Sequence, residues 1–279
     1  MHALIDADIL PYEFGGMVQL EEPDKPLEWD IVRSLVDDRI KQILEATSAS
    51  SYALYLTASS ENFRLNVATI LPYKGMRATE KPYHWDRIRQ HLIDNWDAEV
   101  QHGIEADDRL GIEQYTTACK NGHSDNPDPW AGTVICSRDK DLHMIPGWHY
   151  TWPAGKQKEK LWFQDETNAL RCFYKQLLTG DRATDNILGL FGVGANSTLV
   201  KKLEGIDQEQ LMFNHVFKAY EDRFGSYASQ FMWENAQLLW MLREEPTDRN
   251  PEEEVQDRLN ELMDKLNEEK EKGEGSEGV

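Results

Sequence analysis

Apolar positions along this chain follow two rhythms. HALIDAD (2–8) and YALYLTA (52–58) are short apolar runs bounded by polar residues, and GTVICSRDKDL (132–142) is a third that ends in a cluster of charge. Runs of this length predict buried strands. Between the first two, EWDIVRSLVDDRIKQILEAT (28–47) places Ile31, Leu35, Ile40 and Leu44 at nearly helical intervals, and EADDRLGIEQYTTACKNG (105–122) predicts a helix stopping at Gly122. Strands alternating with helices imply an α/β fold with a mainly parallel sheet flanked by helices, in which ligands bind beyond the carboxyl ends of the strands. GWHYTWPAGKQKEKLWF (147–163) predicts two short strands about a turn at Gly155, and from Thr167 onward the pattern is mainly helical.

A last helix begins at RNPEEE, where Asn250 can cap, Pro251 can open the first turn and Glu253 can complete a capping-box-like start. Val255, Leu259, Leu262 and Leu266 then form one apolar stripe, which is too short for a convincing coiled coil and predicts docking on the parent domain. The final EEKEKGEGSEGV (268–279) is expected to be disordered, and removal of 251–279 is expected to leave function intact.

Charge alters this picture less than its size suggests. The formal net charge is −20, which argues against a polyanionic partner, yet residues 244–279 carry 14 acids against 5 bases, so nearly half of the excess belongs to the tail. The N-terminal apolar run is too short for a membrane span and lacks the basic leader of a secretory signal, which predicts a cytoplasmic protein without membrane contact. Cys119, Cys136 and Cys172 form no C-x-x-C pair; they suggest neither a disulfide framework nor a zinc site and are expected to be core thiols.

Candidate chemistry lies in the acids. Asp6 and Asp8 follow the first strand, Asp139 and Asp141 the third, and Glu105, Asp107 and Asp108 open a predicted helix, with Asp181 and Asp185 four apart in GDRATDNILGLFGVGANST (180–198). Any one cluster alone reads more readily as caps, turns or solvated charge. Several clusters at strand ends repel one another unless protons or cations intervene, and hard Mg²⁺ or Mn²⁺ suits an all-carboxylate set. Paired metals of that kind hydrolyse phosphodiesters.

The motifs LIDAD, LPYKGMR, GIEADD, SRDKDL and GDRATDNILGLFGVGANST, in that order across residues 1–205, resemble those of the phage and bacterial 5′ nucleases, the flap endonuclease and 5′-3′ exonuclease group with a PIN-like core. The resemblance implies that Asp6, Glu105, Asp107, Asp108, Asp139, Asp141, Asp181 and Asp185 hold two Mg²⁺ or Mn²⁺ ions. It implies that Lys74 and Arg77 contact the scissile phosphate at the base of a helical arch over Ala78–Asn95. It also makes 180–198 a helix-three-turn-helix in which Gly192, Val193, Gly194 and Ser197 approach a duplex phosphate, with a potassium ion there, Lys201 and Lys202 adding charge, and Tyr73 at the DNA interface.

The implied organisation is a nuclease core at 1–175 with its arch region near 73–100, a duplex-binding helical region at 176–243, and an acidic helix and tail at 244–279. The implied partner of this monomer is DNA with a 5′ end, flap or nick, and the implied products are a 5′-phosphate and a 3′-hydroxyl. For a phage-encoded chain the compartment is the host cytoplasm. Three departures stand out: Asp181 and Asp185 are four rather than three apart, Ala58 or Ser59 stands where many relatives carry an aspartate, and Ala195 and Asn196 replace a lysine after the turn. These keep open a branched-DNA-binding protein that does not cleave, and the core acids keep open a PIN-like ribonuclease. Tyr83, His84 and Trp85 are read equally as stackers on unpaired bases or as packing; His91 and His102 are read as surface or capping residues.

Overall fold

The structure, a computed structural model, describes residues 1–76, 80–123, 126–247 and 249–276. Arg77 and the first residues of the expected arch lie outside this set. Six strands form one sheet: β1 (His2–Asp6), β2 (Ser51–Asn62), β3 (Glu99–Gly103), β4 (Thr133–Cys136), β5 (Gly147–Thr151) and β6 (Lys160–Gln164), in the order β3-β2-β1-β4-β5-β6. All neighbours are parallel except the β5–β6 hairpin. The helices are α1 (Ile9–Phe14), α2 (Trp29–Ala46), α3 (Arg64–Val67), α4 (Trp85–Trp96), α5 (Ala106–Lys120), α6 (Glu166–Thr179), α7 (Thr198–Leu203), α8 (Glu209–Phe224), α9 (Ala228–Leu239) and α10 (Glu253–Ser276).

The chain divides into two compact units. The first comprises residues 1–62, 78–166 and 241–245 and holds the whole sheet; the second comprises 63–77, 167–240 and 246–279 and is helical. Both depart from contiguous sequence blocks: the helical unit takes in LPYKGMR and α10, while residues 241–245 return to the sheet unit.

In the sheet unit, successive side chains of β1 point to opposite faces, as strand geometry requires. Ala3 and Ile5 enter one cluster with Val32, Val36, Ile40 and Ile43 of α2 and Ile88 and Leu92 of α4. Leu4 enters the other, with Tyr55, Ile135, Leu142, Ile145 and Ala106 and Leu110 of α5. The face that α2 buries is therefore not the expected one: Ile31 is exposed and Leu35 only half-buried. Two stripes in this helix satisfy a 3.6-residue period, and packing against the sheet selects the one rich in β-branched residues. Of the cysteines only Cys136 is a core thiol; Cys119 is exposed, Cys172 is half-buried, and all three are free thiols.

In the helical unit, α10 docks on its own unit, as its apolar stripe predicts: Val255, Leu259 and Leu262 are buried, and Arg258 forks onto Glu209 of α8 at 2.6 and 2.7 Å. The helix also continues through Ser276, across much of the stretch expected to be disordered, where Lys272 pairs with Glu268 one turn back. The burial contradicts the expectation that 251–279 is dispensable, because removing it strips three aliphatic side chains from a core. Among the described residues, no helix is long and apolar enough to cross a membrane.

Candidate metal and nucleic-acid site

Parallel pairing brings the carboxyl ends of β1, β2 and β4 to one edge of the sheet. Period-two alternation then places Asp6 on the same face as Leu4, and Ser137 on the same face as Ile135, both toward α5. Asp6 is buried, and its carboxylate accepts the Ser137 hydroxyl proton at 2.8 Å. The same Ser137 Oγ accepts the N–H of Asp139 at 2.9 Å, and Asp139 Oδ1 accepts the N–H of Asp141 at 2.9 Å. One serine and a short turn therefore link three of the expected acids.

A second arm runs through Thr57 of β2. Asp8 accepts the Thr57 N–H at 2.9 Å and a guanidinium N–H of Arg89 at 2.8 Å, while Thr57 Oγ1 accepts the N–H of Ala106 at 2.9 Å. Asp8 is thereby held beside Glu105, the N-cap of α5, whose negative charge acts on it. Burial, with the charges of Asp8 and Asp139 next, pushes the Asp6 carboxyl up to about 8. Burial also raises Asp8, against the opposing hydrogen bonds from Thr57 and the charge of Arg89. The sheet edge thus gathers like charges at a cost that an added cation would relieve.

The remaining acids of this unit are placed differently. Asp108 is fully buried; its oxygens accept the N–H groups of Glu105 at 3.0 Å and Leu242 at 3.1 Å, and with Glu105 it forms a capping box. Asp107 is half-buried in the first turn of α5, and Asp141 opens a short 3₁₀ turn (Asp141–Met144). Among the described residues, no three acidic, histidine or cysteine side chains close into a ready metal cage. The donor set is all oxygen, and an open set suits Mg²⁺ or Mn²⁺, which keep several waters.

In the helical unit, LPYKGMR and the GDRATDN loop are bonded to each other. The Lys74 N–H donates to the Asp185 carbonyl at 2.9 Å, the Tyr73 hydroxyl to Asp185 Oδ2 at 3.3 Å, and the Asn186 amide to the Pro72 carbonyl at 3.0 Å. Tyr73 is buried beneath this pair rather than displayed for stacking, and the Lys74 ammonium lies 4.9 Å from its ring centroid. Asp181 is buried; Oδ1 accepts the N–H of Thr184, and its backbone bridges to Ile187. Gly180 and Gly189 stand back to back, and a Cβ on Gly189 would lie 2.2 Å from Gly180 N, so only glycine allows the loop to close.

The following turn is open to solvent. Gly192 has φ +83° and, like Gly194, would meet nothing with an added Cβ; Val193 is half-buried. Ser197 caps α7, its hydroxyl accepting the Val200 N–H at 3.3 Å, and Lys201 and Lys202 are exposed on that helix.

The aromatic run at 83–85 resolves largely toward packing. His84 is buried with its Nε2 2.8 Å from the Leu27 carbonyl, and Trp85 lies beneath Lys81 at 3.6 Å and Arg89 at 4.7 Å, while Tyr83 alone is well exposed. His91 pairs with Asp37 at 2.7 Å and His102 with Glu61 at 2.9 Å. Sequence reasoning missed Ser137, Thr57 and Arg89, which join and orient the acids. The serine sits in the quoted SRDKDL, but nothing in the spacing of Thr57 or Arg89 marks them.

No family model and no curated protein matches the chain. The resemblance to 5′ nucleases recurs among solved structures. The bacteriophage T5 D15 protein co-crystallised with metal ions is 14% identical with a TM-score of 0.48, over 85% of this chain and 98% of that one. The T5 D15 flap endonuclease in a pseudo-enzyme-product complex with DNA and metal ions gives the same values. The T5 5′-exonuclease with divalent zinc bound is also 14% identical, with a TM-score of 0.48 over 86% of this chain and 99% of that one.

Proposed function

We propose that this chain is a divalent-metal-dependent 5′ nuclease that hydrolyses DNA phosphodiesters beside a free 5′ end, flap or nick. The observation that supports this reading above others is the acidic sheet edge, where Asp6 is buried among Asp8, Asp139 and the Ser137 bridge with its carboxyl held at about 8. A soluble fold gains nothing from that arrangement without a ligand that answers the charge.

Asp6, Asp139 and Glu105 would hold the first Mg²⁺ or Mn²⁺, with Asp107 and Asp141 beside them. Asp181 and Asp185 are assigned to a second ion on the strength of the motif order. Bound metal supplies charge neutralisation at the phosphodiester and an activated water at neutral pH. The residues of the chain do the rest: Ser137 fixes the Asp6 carboxylate, and Arg89 neutralises Asp8 and ties it to the Thr57 carbonyl at 2.8 Å. Lys74 and Arg77 orient the scissile phosphate, and the glycine turn with Lys201 and Lys202 holds the duplex.

The test is cleavage of a 5′-flap duplex labelled at either end, with Mg²⁺ or with chelator, by the parent protein and Asp139→Asn. Metal-dependent products with a 5′-phosphate, lost in the variant, are expected. A second reading, binding of branched DNA without cleavage, is favoured by the absence of a closed cage among the described residues and by Arg89 already neutralising Asp8. Under that reading the flap is bound equally with chelator and no product forms.

A further inference from the structure

Phe191 follows Leu190 in the glycine turn of the helical unit and is 72% exposed, the one exposed phenylalanine among the described residues. Two guanidiniums converge on it: Arg182 lies 5.4 Å and Arg223 5.9 Å from the ring centroid. Each is held by one backbone carbonyl, with Arg182 Nε donating to Leu188 at 3.0 Å and Arg223 donating to Phe191 itself at 3.3 Å. Neither forms an ion pair with a carboxylate among the described residues, and the acids next to Arg223 are engaged elsewhere: Asp222 with Lys218 and Glu221 with Lys270.

The context gives this weight. The chain carries 50 acids and 30 bases, so a basic side chain has acidic neighbours to spare, and here two arginines leave them aside for the same exposed ring. Two like charges over one aromatic face gain from the ring quadrupole but repel each other. A partner that brings negative charge to both guanidiniums and an apolar surface to the ring removes the repulsion and covers the phenyl group. Nucleic-acid backbone has that pattern, with phosphates recurring along each strand and sugars between them. Lys201 and Lys202, exposed on the helix that follows the turn, extend the same positive surface.

We propose that Phe191, Arg182 and Arg223 form a backbone contact for DNA, the ring packing on a sugar and the guanidiniums on the flanking phosphates. The contact is sequence-independent and positions duplex without taking part in the chemistry. This inference rests on the reading of the chain as a DNA nuclease.

The experiment measures binding of the full chain to a 5′-flap duplex as a function of salt, together with KM and kcat for cleavage, for the parent protein, Arg182→Gln, Arg223→Gln, Phe191→Ala and Phe191→Trp. Each arginine variant is expected to lower the slope of log K against log salt by ~1. Phe191→Ala is expected to raise KM about tenfold, with the loss falling on KM rather than kcat, and Phe191→Trp to recover most of it. Parent protein that binds and cleaves, with variants that keep its slope and its KM, overturns the contact while leaving the nuclease reading in place. Parent protein that neither binds nor cleaves removes both. Equal weakening by the variants toward DNA and toward an acidic polypeptide such as polyglutamate overturns the DNA assignment in favour of an acidic protein partner.

Discussion

The backbone N–H of Lys74 donates to the carbonyl oxygen of Asp185 at 2.9 Å, so two motifs far apart in sequence form one loop pair within the helical unit. Both sides of the pair use left-handed backbone, with Lys74 at φ +56° and Asn186 at φ +64°. Asparagine tolerates that region better than most residues, and Asn186 adds its bond to the Pro72 carbonyl. Asn186→Ala therefore loses the bond and takes on the strain, a cost of about 1–2 kcal/mol, whereas Asn186→Gly loses the bond alone and costs less. Thermal unfolding of the two variants should rank them in that order; an alanine variant as stable as the glycine one would show that the loop pair does not constrain position 186.

Asp108 provides a sharper test because the motif resemblance and the structure use it differently. Its oxygens accept the N–H groups of Glu105 and Leu242, and the side chain is fully buried. Asp108→Asn replaces one acceptor with an amide N–H facing a backbone donor, which is expected to cost about 2 kcal/mol in urea unfolding. Mg²⁺ affinity, followed by calorimetry on the folded variant, separates the two roles. Loss of metal affinity at unchanged stability would make Asp108 a ligand and remove the capping account.

These two sites show what the sequence can and cannot carry. β1 and β4 are legible because Leu4–Ile5 and Val134–Cys136 are buried on both faces, so the run is continuously apolar. β3 is not, because Glu99–Gly103 is an edge strand whose side chains are mostly exposed, with only Gln101 buried, and it carries no alternation to detect. The placement of Asp6 and Asp139 at one sheet edge follows from strand ends alone. The role of Ser137 does not, since a serine after a strand is an ordinary turn residue. Contacts such as Lys74 to Asp185 pass through backbone atoms and leave no side-chain signature, and the exposure of Phe191 depends on how the glycine turn presents it.

Acid sensitivity should originate in part at β5. His149 is buried, stacks on Trp162 at 5.3 Å and places Nε2 2.7 Å from the Ile145 carbonyl; burial lowers it to about 4. His143, whose ring lies 6.2 Å away, is lowered by burial as well. Between pH 4 and the unfolded value of 6.5 the unfolded chain binds a proton that native His149 refuses, so stability is complete above 6.5 and falls as the pH drops toward 4. The full span corresponds to about 3 kcal/mol. Unfolding free energies of the parent protein and His149→Gln across pH 4–8 should diverge in slope over that window. Parallel curves would assign the acid lability elsewhere.

The C-terminal helix decides how far the chain can be shortened. Val255, Leu259 and Leu262 are 1%, 0% and 6% exposed, and burying each such side chain contributes about 1.5–3 kcal/mol. Polar anchors add to this: the Trp240 indole donates to Glu254 at 2.8 Å, the Trp233 indole to Asn260 at 3.0 Å, and Arg258 forks onto Glu209. Removing residues 251–279 thus withdraws an amount comparable with the roughly 5–15 kcal/mol that holds a whole domain together, and also leaves the faces of α8 and α9 bare. Removing only 268–279 withdraws exposed ion pairs, Lys272 with Glu268 and Lys270 with Glu221, which contribute little. The longer truncation should lose its cooperative unfolding transition and recover as aggregate, while the shorter one unfolds within a few degrees of the parent. If the chain ending at Asn250 keeps a parent-like transition, α10 is an appendage and its buried stripe has been assigned the wrong energetic role.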